Sequence, residues 1–203
     1  MAKLYYYYGT MGSTKTLTLL TSAYQFEEKN IPFLCMKPSV DTRCEENMIE
    51  SRVGVKRTCV TIHPSYNIYS LVDRYNQSSD AILQDKLKWI LIDEAQFLTE
   101  EQIDQLAAIV DEFDINVSCY GLRTDFKSSL FPGSKRLFEL ADTIEEIKSP
   151  CSCGRKSIIN ARIDANGKLV ISGKQVMIGG DDSYIPLCRK CWKERITKEN
   201  TNV

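Results

Sequence analysis

The sequence predicts an α/β protein, built on a parallel sheet around a phosphate-binding loop and ending in a small cysteine-bearing lobe. Three observations carry this. Strand-like apolar runs alternate with helical periodicities up to about residue 148. A glycine-, serine- and threonine-rich loop ending in Lys15-Thr16 joins the first run to the first helix, and two close cysteine pairs stand beyond Pro150. At 203 residues the chain can bury roughly 70% of the surface its unfolded form exposes. Its 43% hydrophobic and 26% charged residues are ordinary for a folded protein, which excludes global disorder. Lys and Arg number 26 against 27 Asp and Glu, a net charge of -1. That balance gives no general field for polyanions, so no nucleic-acid partner is expected. The start MAKLYYYYGT lacks an apolar signal core, and no run approaches the ~18 apolar residues of a membrane span. The expectation is a cytoplasmic protein with no membrane partner.

The elements follow in chain order. Leu4 to Tyr8 is short, aromatic and followed by glycine, as a buried strand is; its tyrosines are read as strand packing. Leu17, Leu20, Ala23 and Tyr24 recur at helical spacing until Asn30-Ile31-Pro32 stops the helix. Phe33 to Met36 is a second strand before a turn at Pro38. Residues 41 to 80 show few clean periods, and their middle is read as a flexible segment. Trp89 to Ile92 is a continuous apolar run ending in two acids, the pattern of a central parallel strand opening into a site. Thr99 to Gln102 fits a capping box, the helix behind it carries Ile103, Leu106, Ala107 and Val110 on one face, and Ile115 to Tyr120 returns as a strand closed by Gly121. After Lys148 the texture changes to prolines, cysteines, an Asn166-Gly167 turn and Gly173, Gly179 and Gly180. This divides the chain into an α/β domain over 1–148 and a small lobe over 149–203.

Three motifs carry chemistry. Gly9-Thr10-Met11-Gly12-Ser13-Thr14-Lys15-Thr16 has the length, first glycine and closing Lys-Thr of a phosphate loop. Its backbone N–H groups and helix start would cradle a polyphosphate, Lys15 would add charge, and Thr16 would offer a hydroxyl to Mg²⁺. Thr14 stands where the pattern has glycine, so a β-branched residue must reach that conformation or the cradle distorts. In Asp93-Glu94-Ala95-Gln96 a strand delivers two acids, one for a nucleotide-bound Mg²⁺ and one, Glu94, to take a hydroxyl proton. The plainer reading, a solvated helix cap, yields to the loop upstream. Cys151, Cys153, Cys188 and Cys191 could close a four-sulfur shell around a structural Zn²⁺. Free or disulfide-linked cysteines are the competing reading, disfavoured in a reducing compartment. The single His63 is read as structural.

With these motifs in this order, the chain resembles the type II (cytosolic and bacterial) thymidine kinases over nearly its whole length. Lys37-Pro38 with Asp41-Thr42-Arg43, Tyr120 to Phe126, Leu130 to Gly133 and Gly179 to Tyr184 extend the match. The resemblance implies a P-loop, RecA-like core with a zinc-ribbon-like lobe carrying a lasso loop. It implies transfer of the ATP γ-phosphoryl group to the 5′-hydroxyl of thymidine, with Glu94 as base and Arg43 stabilising charge on the transferring group. Gly9 to Thr16 and Asp93 to Gln96 then form the ATP and Mg²⁺ side. Met11, Leu122, Phe126, Phe131, Asn160, Gly179 and Tyr184 form the nucleoside side. dTTP as feedback inhibitor and a homotetramer are further implications. Two alternatives remain open at this stage: a zinc-bearing ATPase stimulated by nucleic acid, and a catalytically weak nucleotide-binding relative.

Overall fold

The computed structural model describes residues 1–77, 86–173, 175 and 184–201. Its centre is a six-stranded parallel sheet. In chain order the strands are β1 (Leu4–Tyr8), β2 (Phe33–Pro38), β5 (Val60–Ile62), β6 (Trp89–Ile92), β7 (Asn116–Gly121) and β8 (Thr143–Glu146). Across the sheet they lie in the order β5-β2-β6-β7-β1-β8. Helix α1 (Lys15–Glu28) covers one face, where Leu19, Leu20 and Ala23 pack on Cys35, Leu91 and Tyr120. Helices α2 (Ile68–Gln77), α3 (Glu100–Phe113) and α4 (Pro132–Leu140) cover the other, with Val72, Ile103, Leu106, Ile109 and Leu137 against Tyr6, Ile90, Ile92 and Val117. Ile90, Leu91 and Ile92 serve alternate faces, so this strand needs apolar residues throughout. No helix among the described residues is long and apolar enough to cross a membrane.

Strand β7 lies between β1 and β6 and pairs with both, Tyr8 opposite Gly121 and Ile92 opposite Cys119. The carboxyl ends of β1 and β6 therefore open on the same edge, two strand spacings or roughly 10 Å apart. This edge positions the site. The tyrosine run packs as a strand should: Tyr5 stacks on Trp89, which stacks on Phe26, and Tyr7 stacks on Tyr120. Tyr6 and Tyr8 meet Phe138 on the opposite face. The capping box at Thr99 is complete, with Thr99 Oγ1 accepting from Gln102 N and Gln102 Oε1 from Thr99 N.

Several local expectations need correction. Tyr24 is 58% exposed, and Leu19 and Phe26 face the sheet in its place, because the helix is rotated relative to the spacing chosen. β2 runs through Pro38. Within residues 41 to 80 the structure places a hairpin, β3 (Met48–Glu50) with β4 (Lys56–Thr58), then β5 at the sheet edge, then α2. Three-residue strands are too short to leave a visible period.

Beyond β8 the chain forms the cysteine-bearing lobe, whose strands β9 (Ile159–Arg162) and β10 (Tyr184–Leu187) are antiparallel, followed by α5 (Arg189–Thr201). Gly167, at positive φ, closes the Asn166 turn by donating its N–H to Asp164 O. Trp192 packs beside Cys151, Ile159 and Leu187.

The turn from β1 to α1 is unusually constrained. A Cβ on Gly9 would lie 2.3 Å from Ser13 Oγ and 2.4 Å from Ile147 O, so only glycine fits. Thr14 adopts the left-handed conformation, φ 63° and ψ 16°, immediately before the helix, and its carbonyl accepts the Thr18 N–H. The cradle is closed at the cost of placing a β-branched residue where glycine is free to go. A non-glycine residue there costs about 1–3 kcal/mol, partly offset because glycine loses about 0.5–1 kcal/mol more entropy on folding. Thr14→Gly should therefore stabilise the protein by about 1 kcal/mol, a rise of about 2–4 °C in thermal midpoint. A calorimetric midpoint that stays put or falls would count against the strain.

Candidate active site

The two turns that leave β1 and β6 meet. Thr16 Oγ1 donates to Asp93 Oδ2 at 2.9 Å, and Asp93 N–H is held by Met36 O at 3.0 Å. Glu94 follows in the left-handed conformation, φ 50°, a strained backbone of the kind that collects at functional sites. Its carboxylate is held at both oxygens, by Arg43 Nη2 at 2.5 Å and Gln96 Nε2 at 2.5 Å. Arg43 Nε in turn donates to Asp41 Oδ1 at 2.6 Å. Gln96 is buried and accepts Leu122 N–H at 2.9 Å, which ties the β6 turn to the end of β7.

Thr16, Arg43, Glu94 and Leu122 border a cavity of about 310 Å³, lined by Met11 to Leu17, Arg43, Glu50 to Val53, Glu94 and Leu122. Its walls are the phosphate loop, the β6 turn and the β3-β4 hairpin. The hairpin brings Arg52, whose Nη1 lies 3.7 Å from where a Cβ on Gly12 would be. Sequence reasoning missed Arg52, since its only signal was one arginine inside the single turn from Ser51 to Gly54.

Charge is concentrated here. Burial depresses the Lys15 ammonium to about 8, with Arg43 and Arg52 adding to the effect against the pull of Glu94 and Asp93. Lys15 Nζ rests on Thr10 O at 2.8 Å. Burial, and then the neighbouring Glu94 charge, push the Asp93 carboxyl well above the usual range despite the Thr16 hydrogen bond. The Glu94 carboxylate, foremost, holds the Arg43 guanidinium protonated. Asp93 Oδ1 is buried with no hydrogen-bond partner among the described residues. A buried carboxylate oxygen without a donor, beside a threonine hydroxyl, fits a hard divalent cation such as Mg²⁺.

The residues expected on the nucleoside side divide. Met11 and Leu122 line the cavity. Phe126 is buried under Arg162, whose guanidinium carbon sits 4.4 Å from the ring centre. Arg162 Nε donates to Tyr184 Oη at 3.1 Å, so Arg162 links Phe126 to Tyr184; it too escaped the sequence reading. Phe131 is buried against Phe97. Asn160 spends both ends inside the protein, accepting Met11 N–H at 2.7 Å and donating to Thr124 O at 3.1 Å. Gly179, with most of the expected lasso, lies outside the described residues. Ala95 is buried in the 3-10 turn Ala95–Phe97. His63 contributes its backbone, as acceptor to Gln102.

The four cysteines of the lobe converge, their sulfurs all within 4.8 Å of one another. Cys153 and Cys188 sulfurs are 3.6 Å apart, close to the ~3.8 Å edge of a tetrahedron with 2.3 Å metal–sulfur bonds. Burial pushes the Cys151 thiol up, but backbone N–H groups of Cys153 and Cys188 outweigh it and bring the thiol down to about 6. The Cys153 and Cys188 thiols push Cys191 the other way, up to about 12, so the fit to Zn²⁺ rests on the four converging sulfurs, which leave no position open.

Comparison with known proteins agrees with this geometry. The thymidine kinase family model matches residues 2–192. A thymidine kinase of Legionella pneumophila (strain Paris) is 45% identical over 193 residues, 95% of this chain and 90% of that protein. The thymidine kinase of Pasteurella multocida is 42% identical over 97% of this chain and 99% of its own length. That of Haemophilus influenzae (strain 86-028NP) is 39% identical over 96% and 98%. A match this continuous covers the loop, the paired acids and the cysteine cluster together, and with it the chain belongs to the thymidine kinase family.

Proposed function

We propose that this protein transfers the γ-phosphoryl group of ATP to the 5′-hydroxyl of thymidine, giving dTMP and ADP. The observation that carries the reading is the Thr16–Asp93 contact, because it joins the phosphate loop to the turn that brings Glu94 to the same cavity. ATP occupies the side formed by Gly9 to Thr16 and Asp93 to Gln96. Thr16 and Asp93 would hold Mg²⁺, which when bound neutralises charge on the β- and γ-phosphates. Lys15, already over the loop, and Arg43, beside Glu94, are placed to stabilise charge on the transferring group. Arg52 adds a third cation from the hairpin.

Glu94 acts as the base. Its oxygens are fixed by Arg43 and Gln96, so the carboxylate meets an incoming hydroxyl without reorganising. The proton of the 5′-hydroxyl passes to Glu94 as its oxygen attacks phosphorus and the bond to the β-phosphate oxygen breaks. We assign the nucleoside side to Met11, Leu122, Phe126, Phe131, Asn160, Gly179 and Tyr184. The cysteine lobe, taken as 149–203 against a kinase domain of 1–148, holds structural Zn²⁺. dTTP as feedback inhibitor, a homotetramer and a cytoplasmic location complete the proposal by likeness to the family. The family match does not favour a nucleic-acid-stimulated ATPase.

A panel of nucleosides with ATP and Mg²⁺ tests the reading, and thymidine should be the compound that gains phosphate. ATP turnover indifferent to nucleoside would overturn it. Glu94→Gln should still bind both substrates while turnover falls about 10²- to 10⁴-fold, measured as kcat in a coupled ADP assay. Arg52→Ala should raise the KM for ATP by about tenfold, in the range of one lost charge-assisted contact, and leave that for thymidine unchanged.

A further inference from the structure

The cysteine lobe touches the phosphate loop through side chains that no part of the phosphoryl-transfer chemistry requires. Cys151 and Cys153 sit in a turn closed by Gly154 N–H on Cys151 O at 2.9 Å and Cys151 N–H on Arg155 O at 2.6 Å. Pro150 and Lys156 pair antiparallel below it, and Ser157 N–H reaches Ser149 O at 2.9 Å. Ser149 and Ser157 are thus the two feet of the metal-binding turn. Their hydroxyls lie 2.6 Å apart, and both meet Thr10 Oγ1, at 2.5 and 2.8 Å. All three residues are buried.

The three hydroxyls lie within hydrogen-bond distance of one another, and Ser157 Oγ also reaches the Ser149 carbonyl, as donor, at 2.9 Å. Among the described residues Thr10 Oγ1 meets only these two serine hydroxyls, so removing both leaves it buried without a partner. The effect on the loop is direct. Thr10 carries the carbonyl that accepts Lys15 Nζ at 2.8 Å and Ser13 N–H at 3.2 Å. The next residue, Met11, gives its N–H to Asn160 at 2.7 Å, and Asn160 stands on the strand that pairs with the one leading to Cys188. Two successive loop residues are therefore anchored from the lobe, one by the feet of the first cysteine turn and one from β9.

We propose that Ser149, Ser157 and Asn160 are positioning residues for the phosphate loop, through which the filled cysteine cluster sets the geometry that receives the triphosphate. The proposal rests on the reading of the loop as the ATP site. It gives the lobe a donor-side role in addition to any hold on the nucleoside. A loop held in its receiving conformation binds without the cost of ordering, so loosening it weakens ATP in particular.

The test uses the full, metal-loaded chain. Ser149→Ala/Ser157→Ala should retain one zinc per chain by elemental analysis and weaken a fluorescent ATP analogue about tenfold in a binding titration. The KM for ATP should rise with it, while that for thymidine moves less than twofold. Ser149→Thr, which keeps a hydroxyl, should bind the analogue within twofold of the unaltered protein. If the double variant does not fold, Ser149→Ala alone should weaken the analogue about threefold. Removing the metal with a chelator should weaken the analogue in the unaltered protein and much less in the double variant, because both break the same connection. Equal effects of the chelator on the two proteins, unchanged analogue binding in the variants, or equal shifts of both KM values would overturn the proposal. An unaltered protein that binds the analogue but leaves thymidine unphosphorylated would defeat the functional reading and leave this one to stand on the titration.

Discussion

A hydrogen bond from Thr16 Oγ1 to Asp93 Oδ2 joins the phosphate loop to the turn that carries the paired acids. Its existence depends on the sheet order. With β7 between β1 and β6, the loop and the acids rise from strands that do not touch, and the threonine hydroxyl closes the interval. The same placement leaves Asp93 buried with one oxygen unpartnered among the described residues, an arrangement that costs stability. Two residues at positive φ, Thr14 and Glu94, frame the gap. Strain and desolvation are thus concentrated within a few residues, while the strands beneath are ordinary apolar packing.

The periphery supports this edge from three sides. Gln96 fixes the Glu94 carboxylate to the end of β7. The β3-β4 hairpin, carrying Arg52, forms one wall. The cysteine lobe reaches in through hydroxyls and an amide. The first and third of these supports use hydrogen bonds from buried polar side chains, which fix direction in a way that apolar contacts do not. Positioning of this kind is the larger part of phosphoryl transfer, where the protein contributes little covalent chemistry.

Much of this was legible in the amino-acid order. The strand from Trp89 to Ile92 announced itself because burial on both faces leaves no polar position, and the capping box at Thr99 because its two partners are fixed in spacing. Loop, acids and cysteines could be read because each motif is local and its chemistry demands particular residues. What escaped was short or distant. The strands of residues 48–62 have three residues each, too few for a period. Arg52 and Arg162 owe their positions to tertiary contacts, and isolated arginines carry no signal of their own. The amide of Asn160, expected around the base, spans Met11 N and Thr124 O, a long-range pairing invisible to spacing.

The two tryptophans divide the molecule between them. Trp89 is stacked between Tyr5 and Phe26 at the start of the strand that delivers the acids, while Trp192 lies against the cysteine cluster. Their surroundings differ in kind, an aromatic stack for one and a sulfur-lined turn for the other. The protein therefore carries two intrinsic optical reporters, so that disturbance of the cysteine cluster alters one emission while the sheet keeps the other, without a label.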